Sequence, residues 1–227
     1  MTTLALGLLT HRVIDFDRAD LLAQTMRSAE RAFPSARLWV LDNGSSDGTW
    51  DVLKEVASDR WVLLRVPSTE PSPPGLGRNR LVEYMGLSRD LLILSDDDMV
   101  WQEGAEDKLT RFFAAAPEDV VLVSGFVEPD FPHATPREAV EYGGVRGVVR
   151  DNAPGCAWAF RPSFWREYGP QPETLIGEDT AVCDRVRAAG KRMVTIRLAE
   201  HAGLGKSSLG NCAGRVAPPF DGERWGV

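Results

Sequence analysis

The chain has little cysteine, and its cysteines are not paired. Its 227 residues include three cysteines, at positions 156, 183 and 212, with no C-x-x-C pair among them. An odd number of widely spaced cysteines argues against both a disulfide framework and a cysteine zinc site. We therefore expect a reducing compartment and predict a cytoplasmic protein.

The sequence also lacks a long apolar run. Residues 1–9 are largely apolar, but no basic leader precedes them, and they meet His11 and Arg12 too early for a signal peptide or a membrane-spanning helix. We interpret residues 3–9 as a strand instead and expect no membrane span.

Basic charge is the third scarce feature. Lysine occurs only at positions 54, 108, 191 and 206, and the net charge is −7. This balance argues against broad nucleic-acid binding. With 43% hydrophobic and 26% charged residues, the composition is that of a globular protein, and the length fits one large domain or two small ones.

What the sequence does contain is an alternation of short apolar runs with helical patterns. The runs are continuous rather than alternating, which is typical of strands covered on both faces in a parallel α/β sheet. The predicted strands are 3–9, 37–42, 61–66, 91–94, 120–127 and 193–198, and the main predicted helices are 18–33, 49–57, 78–87, 105–115 and 180–190.

Polar residues follow several of these strands. Thr10, His11 and Arg12 follow the first strand, and Asp42 ends the second. Ligands in parallel α/β sheets bind beyond the carboxyl ends of the strands, so these residues are candidate ligand contacts. An ordinary surface loop explains Thr10, His11 and Arg12 equally well.

Three consecutive carboxylates, Asp96, Asp97 and Asp98, follow the apolar strand at 91–94. Adjacent acids repel one another, and a hard divalent cation such as magnesium or manganese would offset that repulsion. The alternative is that they cap the helix or turn that follows. From these residues alone, metal or phosphate chemistry and a plain cap are equally good interpretations.

Two glycine-rich segments do not support nucleotide-binding loops. The segment GLGRNR at 75–80 follows a proline-rich loop rather than a strand, and GLGKSS at 203–208 has Glu200 where a phosphate loop needs glycine. Residues 128–153 are predicted to be irregular and are a candidate acceptor site or lid, although an ordinary surface loop better explains any single residue there. The Gly-, Ser- and Pro-rich stretch from 204 to 227 is predicted to be a tail or lid.

Four segments in order resemble one known family, the family-2 nucleotide-sugar glycosyltransferases of the GT-A fold. The segments are DNGSSDGT, SDDDM, the glycine-aromatic FRPSF stretch, and GEDTAVCDRVRAAGK followed by EHAG. The resemblance implies an α/β fold with a single Rossmann-like, mixed and mostly parallel sheet flanked by helices. It spans about residues 4–203, and the domain it implies is 1–203, with a nucleotide-binding half at 1–101 and an acceptor-binding half at 102–203.

The resemblance also implies roles for individual residues. Asp98, His201 and Asp96 would contact a divalent metal, manganese or magnesium, and Asp179 would be the catalytic base of an inverting transfer. Glu178 would orient the sugar or the acceptor, although two acids at a helix start are also favoured by the helix dipole. Trp158 would form a sugar platform or be a core residue. The residues expected to bind a UDP-sugar are Thr10, His11, Arg12, Asp42, Arg78, Asp96 and Asp97.

Two other functions remain as alternatives: a nucleotide-sugar binding protein without turnover, and a nucleotidyltransferase. The second lacks support because the Gly-rich loop it needs after the first strand is replaced by LLTHRV. With neither a membrane span nor a large C-terminal extension, a membrane-embedded or processive polymerase is not expected. The expected acceptor is a small-molecule or glycan hydroxyl. An anionic polymer such as modified DNA is less favoured, and it would require arginines 137, 146, 150, 161 and 166 to share one face.

Overall fold

The fold is built on one mixed sheet with helices on both faces. The computed structural model describes residues 2–15, 17–67, 73–126, 136–174 and 177–201. The strands are β1 (Leu4–Thr10), β2 (Arg37–Asp42), β3 (Trp61–Arg65), β4 (Leu91–Asp96), β5 (Met99–Trp101), β6 (Val120–Phe126), β7 (Pro136–Tyr142), β8 (Val145–Arg150), β9 (Ala157–Phe160) and β10 (Arg192–His201). The helices are α1 (Ala19–Ala32), α2 (Thr49–Val56), α3 (Pro74–Met85), α4 (Ala105–Ala115), α5 (Pro162–Tyr168) and α6 (Glu178–Ala188).

Most strands of the sheet point in one direction. The described strands lie in the order β3-β2-β1-β4-β9-β6-β10-β8-β7, and β5 pairs with β10. β1 is parallel to both β2 and β4, and β10 is parallel to β6. β9 runs antiparallel between β4 and β6. The carboxyl ends of β1, β2, β4, β6 and β10 therefore meet at one edge of the sheet.

The apolar strands divide their side chains between two cores. In β1, Leu6 and Leu8 join the core under α1, α2 and α4, whereas Leu9 joins the core under α3, α5 and α6. β4 does the same with Ile93 on one side and Leu94 on the other. Burying each such side chain contributes about 1.5–3 kcal/mol. This two-sided burial explains why the sequence shows continuous rather than alternating apolar runs.

Two parts of the fold differ from the sequence prediction. Residues 136–150, predicted to be irregular, form the antiparallel β7–β8 hairpin with a Gly143–Gly144 turn. Helix α3 begins at Pro74 rather than at Arg78, with proline at its first position, where no backbone donor is needed. The predicted tail from residue 204 lies outside the described residues.

Helix α3 lies unusually close to the ends of β1 and β2, and a glycine permits this approach. A Cβ atom on Gly77 would lie 2.8 Å from Leu9 Cδ1 and 3.0 Å from Asn43 Oδ1. Any larger residue would push the first turns of α3 away from the strand ends. The next residue, Arg78, is thereby carried to the edge where the strands terminate.

No helix among the described residues is both long enough and apolar enough to cross a membrane.

Candidate active site

The three consecutive acids form the tight turn between β4 and β5. Asp96 ends β4, and Asp97 and Asp98 make the turn that leads into β5 at Met99. Asp97 and Asp98 are 4% and 6% exposed, whereas the Asp96 side chain is 32% exposed. The acids therefore do not cap a helix. Each of them has a different set of neighbours.

Asp97 is held on both oxygens by buried protein donors. Thr10 Oγ1 donates to its Oδ2 at 2.7 Å, and Arg18 donates to its Oδ1 at 2.5 Å. Burial raises the pKa of Asp97 to about 7, against the opposing effect of the Arg18 charge. The Thr10 hydroxyl is likewise committed to this bond and is 1% exposed. In this arrangement Asp97 and Thr10 bind each other inside the protein.

Asp98 faces His201. The distance from His201 Nε2 to Asp98 Oδ2 is 3.2 Å, and the two side chains are 16% and 8% exposed. The antiparallel pairing of β5 with β10 places His201 opposite Met99, the residue after Asp98. Burial, followed by the charge of Asp96, raises the pKa of Asp98 to about 6. The sheet register therefore brings together two residues that are 103 positions apart in the sequence.

Arg78 bridges Asp96 to the start of helix α6. It donates to Asp96 Oδ1 at 2.5 Å and to Glu178 Oε1 at 2.7 Å, and it is 5% exposed. Burial alone would lower the pKa of Arg78, but the Asp96 and Glu178 carboxylates raise it. Arg78 therefore ties the acidic turn to the α6 segment that also carries Asp179.

Asp179 is anchored by backbone donors. Its Oδ2 accepts from the Gly155 amide at 3.1 Å and its Oδ1 from the Thr180 amide at 2.6 Å. The next residue, Cys156, accepts from the Asp96 amide at 2.9 Å through its carbonyl. The Gly155–Cys156 pair thus connects Asp179 to the acidic turn.

Cys156 itself belongs to this site, which the sequence did not indicate. Burial raises the pKa of its thiol well above the ordinary value, and the charges of Asp96 and Asp98 raise it further. The effects of these charges place the thiol among the acids. Its position next to Gly155 in the glycine-aromatic segment is the only signal that could have pointed to it.

A second group of residues lies at the ends of β1 and β2. Asp42 is fully buried, and its Oδ1 accepts from the Ser45 amide at 2.9 Å. Its Oδ2 has no hydrogen-bond donor among the described residues, and Arg65 Nε lies 3.4 Å away. Burial, followed by the Arg12 charge, lowers the pKa of His11. Asp42 therefore offers a buried acceptor beside a neutral imidazole.

The side chain of Arg12 is half-exposed. Its guanidinium pairs with Asp15, with Nε donating at 2.7 Å, and its backbone amide donates to Ser45 Oγ at 2.8 Å. Its φ of 51° lies in the left-handed region. The described contacts of Arg12 thus shape the loop after β1.

Trp158 lies in the core. It is fully buried, its Nε1 donates to the Ala153 carbonyl at 3.0 Å, and its ring meets Phe164 edge to face at 6.2 Å. A sugar platform needs an accessible ring face. The structure therefore agrees with the interpretation of Trp158 as a core residue and not with its interpretation as a sugar platform.

Of the five arginines that could have marked an anionic acceptor, the four whose side chains the structure describes do not gather around the site. In the sheet, Arg150 of β8 lies opposite Met193 at the start of β10. Arg161 follows β9, whose last residue lies opposite Leu92 near the start of β4. Both therefore lie at the sheet edge opposite the acids. Arg166 donates to the Leu87 carbonyl, and Arg146 pairs with Glu141. The side chain of residue 137 is outside the described set.

The side chains at the site suit a hard divalent cation whose coordination shell a substrate completes. No three His, Cys, Asp or Glu side chains among the described residues are arranged to enclose an ion. Magnesium-type sites commonly take one or two carboxylates from the protein and the remaining ligands from phosphate and water. Asp98 and His201 converge beside Asp96, and four carboxylates, including Asp97 and Glu178, face the two cations Arg18 and Arg78. The residues present therefore fit a divalent metal.

Comparison with known proteins bears on this geometry. A family model described as glycosyl transferase family 2 matches residues 13–168. A search of curated proteins found no match.

Three solved structures share the fold at low sequence identity. The mannosyltransferase PcManGT from Pyrobaculum calidifontis, in complex with GDP-Man and Mn²⁺, superposes with a TM-score of 0.64 at 18% identity over 91% of this chain and 58% of its own. TarS from S. aureus gives a TM-score of 0.61 at 12% identity over 86% of this chain and 35% of its own. A second structure, S. aureus TarS 1–349, gives a TM-score of 0.61 at 11% identity over 90% of this chain and 61% of its own. The chain thus spans less than two thirds of each of these structures.

Proposed function

The chain belongs to glycosyl transferase family 2 and is a glycosyltransferase, and we propose that it moves a sugar from a nucleotide-sugar to a hydroxyl with inversion, using magnesium or manganese. The acceptor is a hydroxyl of a small molecule or glycan. Residues 1–101 hold the donor, and residues 102–203 supply the base and the acceptor side. One observation carries this proposal: the backbone of the Gly155–Cys156 segment bonds both to the Asp179 carboxylate and to Asp96, the first acid of the turn that brings Asp98 to His201.

The donor side of the proposal rests on the strand ends. Asp42 Oδ2, which receives no hydrogen bond from the described residues, is a buried acceptor suited to the ring N–H of a nucleobase, and the loop of His11 and Arg12 flanks it. Uracil and guanine both present such a donor. We favour UDP from the family resemblance, and the GDP-Man held by the mannosyltransferase makes a GDP-sugar the second candidate.

The metal, when bound, neutralises negative charge that develops on the departing diphosphate. Asp98 and His201 are the residues that hold it, with Asp96 beside them. Arg78 keeps Asp96 in place and offsets its charge. Arg18 does the same for Asp97, so the two arginines together limit the repulsion among the three acids.

The acceptor side of the proposal rests on Asp179. Its carboxylate is oriented by the Gly155 and Thr180 amides, and it removes the proton of the acceptor hydroxyl as that oxygen attacks the anomeric carbon. Glu178 is committed to Arg78, so it positions the start of α6 rather than acting as the base. This division of roles follows from their partners.

Asp179→Asn tests the assigned base. Positioned general bases contribute about 10²–10⁴-fold to turnover, so we expect a loss of that size with donor affinity unchanged. The readout is sugar release or transfer from a panel of UDP- and GDP-sugars, together with donor binding by calorimetry. The matched control is Asp184→Asn, on the same helix, whose carboxylate is exposed and pairs with Arg187. Turnover by Asp179→Asn equal to that of Asp184→Asn would remove Asp179 from this role.

A further inference from the structure

Helix α1 carries buried polar side chains on the face that packs against the acidic turn. Thr25 and Ser28 are 0% and 1% exposed, and Arg18, the residue before the first helical turn, is 5% exposed. Arg18 lies seven residues before Thr25, and Ser28 lies three residues after it, so all three lie on one side of the helix. Burying such groups is unfavourable unless each finds a partner.

All three find their partners in the segment from Asp97 to Trp101. Arg18 donates to the Asp97 side chain at 2.5 Å, and Thr25 Oγ1 donates to the Asp97 carbonyl at 3.0 Å. Ser28 Oγ accepts from the Trp101 amide at 3.0 Å. In addition, Phe33, just beyond α1, packs edge to face on Trp101 with ring centroids 4.9 Å apart.

This segment determines where both metal-side residues lie. It contains Asp98 itself, and its strand β5 pairs with β10 so that Met99 lies opposite His201. A shift of the segment relative to α1 would therefore move Asp98 and His201. The three polar contacts resist such a shift more specifically than apolar packing does, because each requires one donor and one acceptor in register.

We propose that α1 is the positioning element of the metal site, with Arg18 and Thr25 as positioning residues for Asp98. This inference rests on the proposed function, because it concerns the same metal-binding pair. Both residues are bonded to Asp97, the residue before Asp98. Arg18 has a second effect: its guanidinium also forms a longer ion pair with Asp98 Oδ2 at 4.0 Å, and its shorter bond to Asp97 holds it at that distance.

Thr25→Val tests the positioning without changing any charge. Valine has the shape of threonine but cannot donate to the Asp97 carbonyl. Loss of an outer contact of this kind typically weakens metal binding by about 10–100-fold, and we expect about 10-fold for one neutral bond. The measurement is Mn²⁺ titration by electron paramagnetic resonance, with UDP and, in parallel, with GDP.

Thr195→Val is the matched control. Thr195 is 3% exposed, and its hydroxyl has no hydrogen-bond partner among the described residues. Its substitution should leave Mn²⁺ affinity unchanged. Equal affinity of Thr25→Val and Thr195→Val would overturn the inference while leaving the proposed function intact. Absence of Mn²⁺ binding in the wild type would overturn the proposed function, and this inference with it.

A pair of charge variants gives an independent readout. Asp97→Asn frees the Arg18 guanidinium to pair more closely with Asp98, so we expect Mn²⁺ binding about 10–100-fold weaker than in the wild type. Adding Arg18→Met removes that competing cation, and part of the lost affinity should return. A double variant that binds Mn²⁺ no better than Asp97→Asn would contradict the role of Arg18, because a merely structural role predicts further loss.

Discussion

His201 Nε2 lies 3.2 Å from Asp98 Oδ2, although the two residues come from opposite halves of the chain. The contact depends on β5, a strand of three residues that pairs antiparallel with the last three residues of β10. The described pairing of β10 with β6 ends at Ala199, whereas β5 pairs with Ala199, Glu200 and His201. The short strand therefore links the acidic turn to the histidine.

Asp98→Asn is expected to stabilise the metal-free protein near neutral pH. The pKa of Asp98 is raised by burial and by Asp96 to about 6, above the value of about 4 in an unfolded chain. Between these values the folded state keeps a proton that the unfolded state has lost, and this contribution to stability disappears as the pH rises through about 6. The variant has no such loss, so its melting temperature should be roughly 2–6 °C higher than wild type at about pH 7.5.

The same variant gives an internal check at low pH. At about pH 3, below both pKa values, the wild-type carboxyl is protonated in the folded and the unfolded state and resembles the amide, so the two proteins should melt within roughly 2 °C of each other. The melts are recorded in a chelator, with Asp184→Asn as the control for an exposed aspartate. If the wild type were the more stable of the two at about pH 7.5, the ionised Asp98 carboxylate would not destabilise the metal-free fold.

Arg78→Met is expected to destabilise the protein strongly. Arg78 is buried between Asp96 and Glu178, and its removal leaves two carboxylates without their shared cation. Breaking a buried charge pair in this way costs about 3–5 kcal/mol. The free energy of unfolding is measured by urea denaturation at one pH.

Arg146→Met is the control for this change. The Arg146 and Glu141 side chains are 68% and 54% exposed, so their pair contributes at most about 1 kcal/mol. If Arg78→Met lost no more stability than Arg146→Met, the bridge between the acidic turn and α6 would not be a structural one.

Trp158 distinguishes core packing from sugar binding. Trp158→Ala should cost about 3–5 kcal/mol of stability because it leaves a cavity beside Phe164. Trp158→Phe keeps most of the ring and loses the bond to the Ala153 carbonyl. We expect the phenylalanine variant to keep the wild-type KM for the donor. A KM raised about 10-fold, with stability intact, would instead indicate contact with the sugar.

The regular elements that carry the strand ends could be predicted from the sequence. The strand Arg37–Asp42 is confirmed at both ends, and helix Ala105–Ala115 likewise. These segments combine continuous apolar runs or helical spacing with clear stops. The carboxyl ends of the parallel strands β2 and β4 place Asp42 and Asp96 at one edge of the sheet.

The missed features have more than one physical cause. β5 is too short to show a period, and the β7–β8 hairpin alternates apolar residues with charges and is interrupted by glycines. Arg18 and Thr25 lie in the predicted helix 18–33, but nothing local in the sequence reveals that Asp97 receives their hydrogen bonds. A polar residue recurring on the apolar face of a helix is the signal that could have found them.

The central claim is a metal-dependent donor site at Asp98, and donor binding tests it most directly. The measurement is calorimetric titration of wild type and Asp98→Asn with a panel of UDP- and GDP-sugars, each with and without Mn²⁺. The account predicts that one donor binds the wild type only with Mn²⁺ and that this binding is lost in the variant. Binding of that donor with equal affinity in the absence of metal, or in Asp98→Asn, would contradict it.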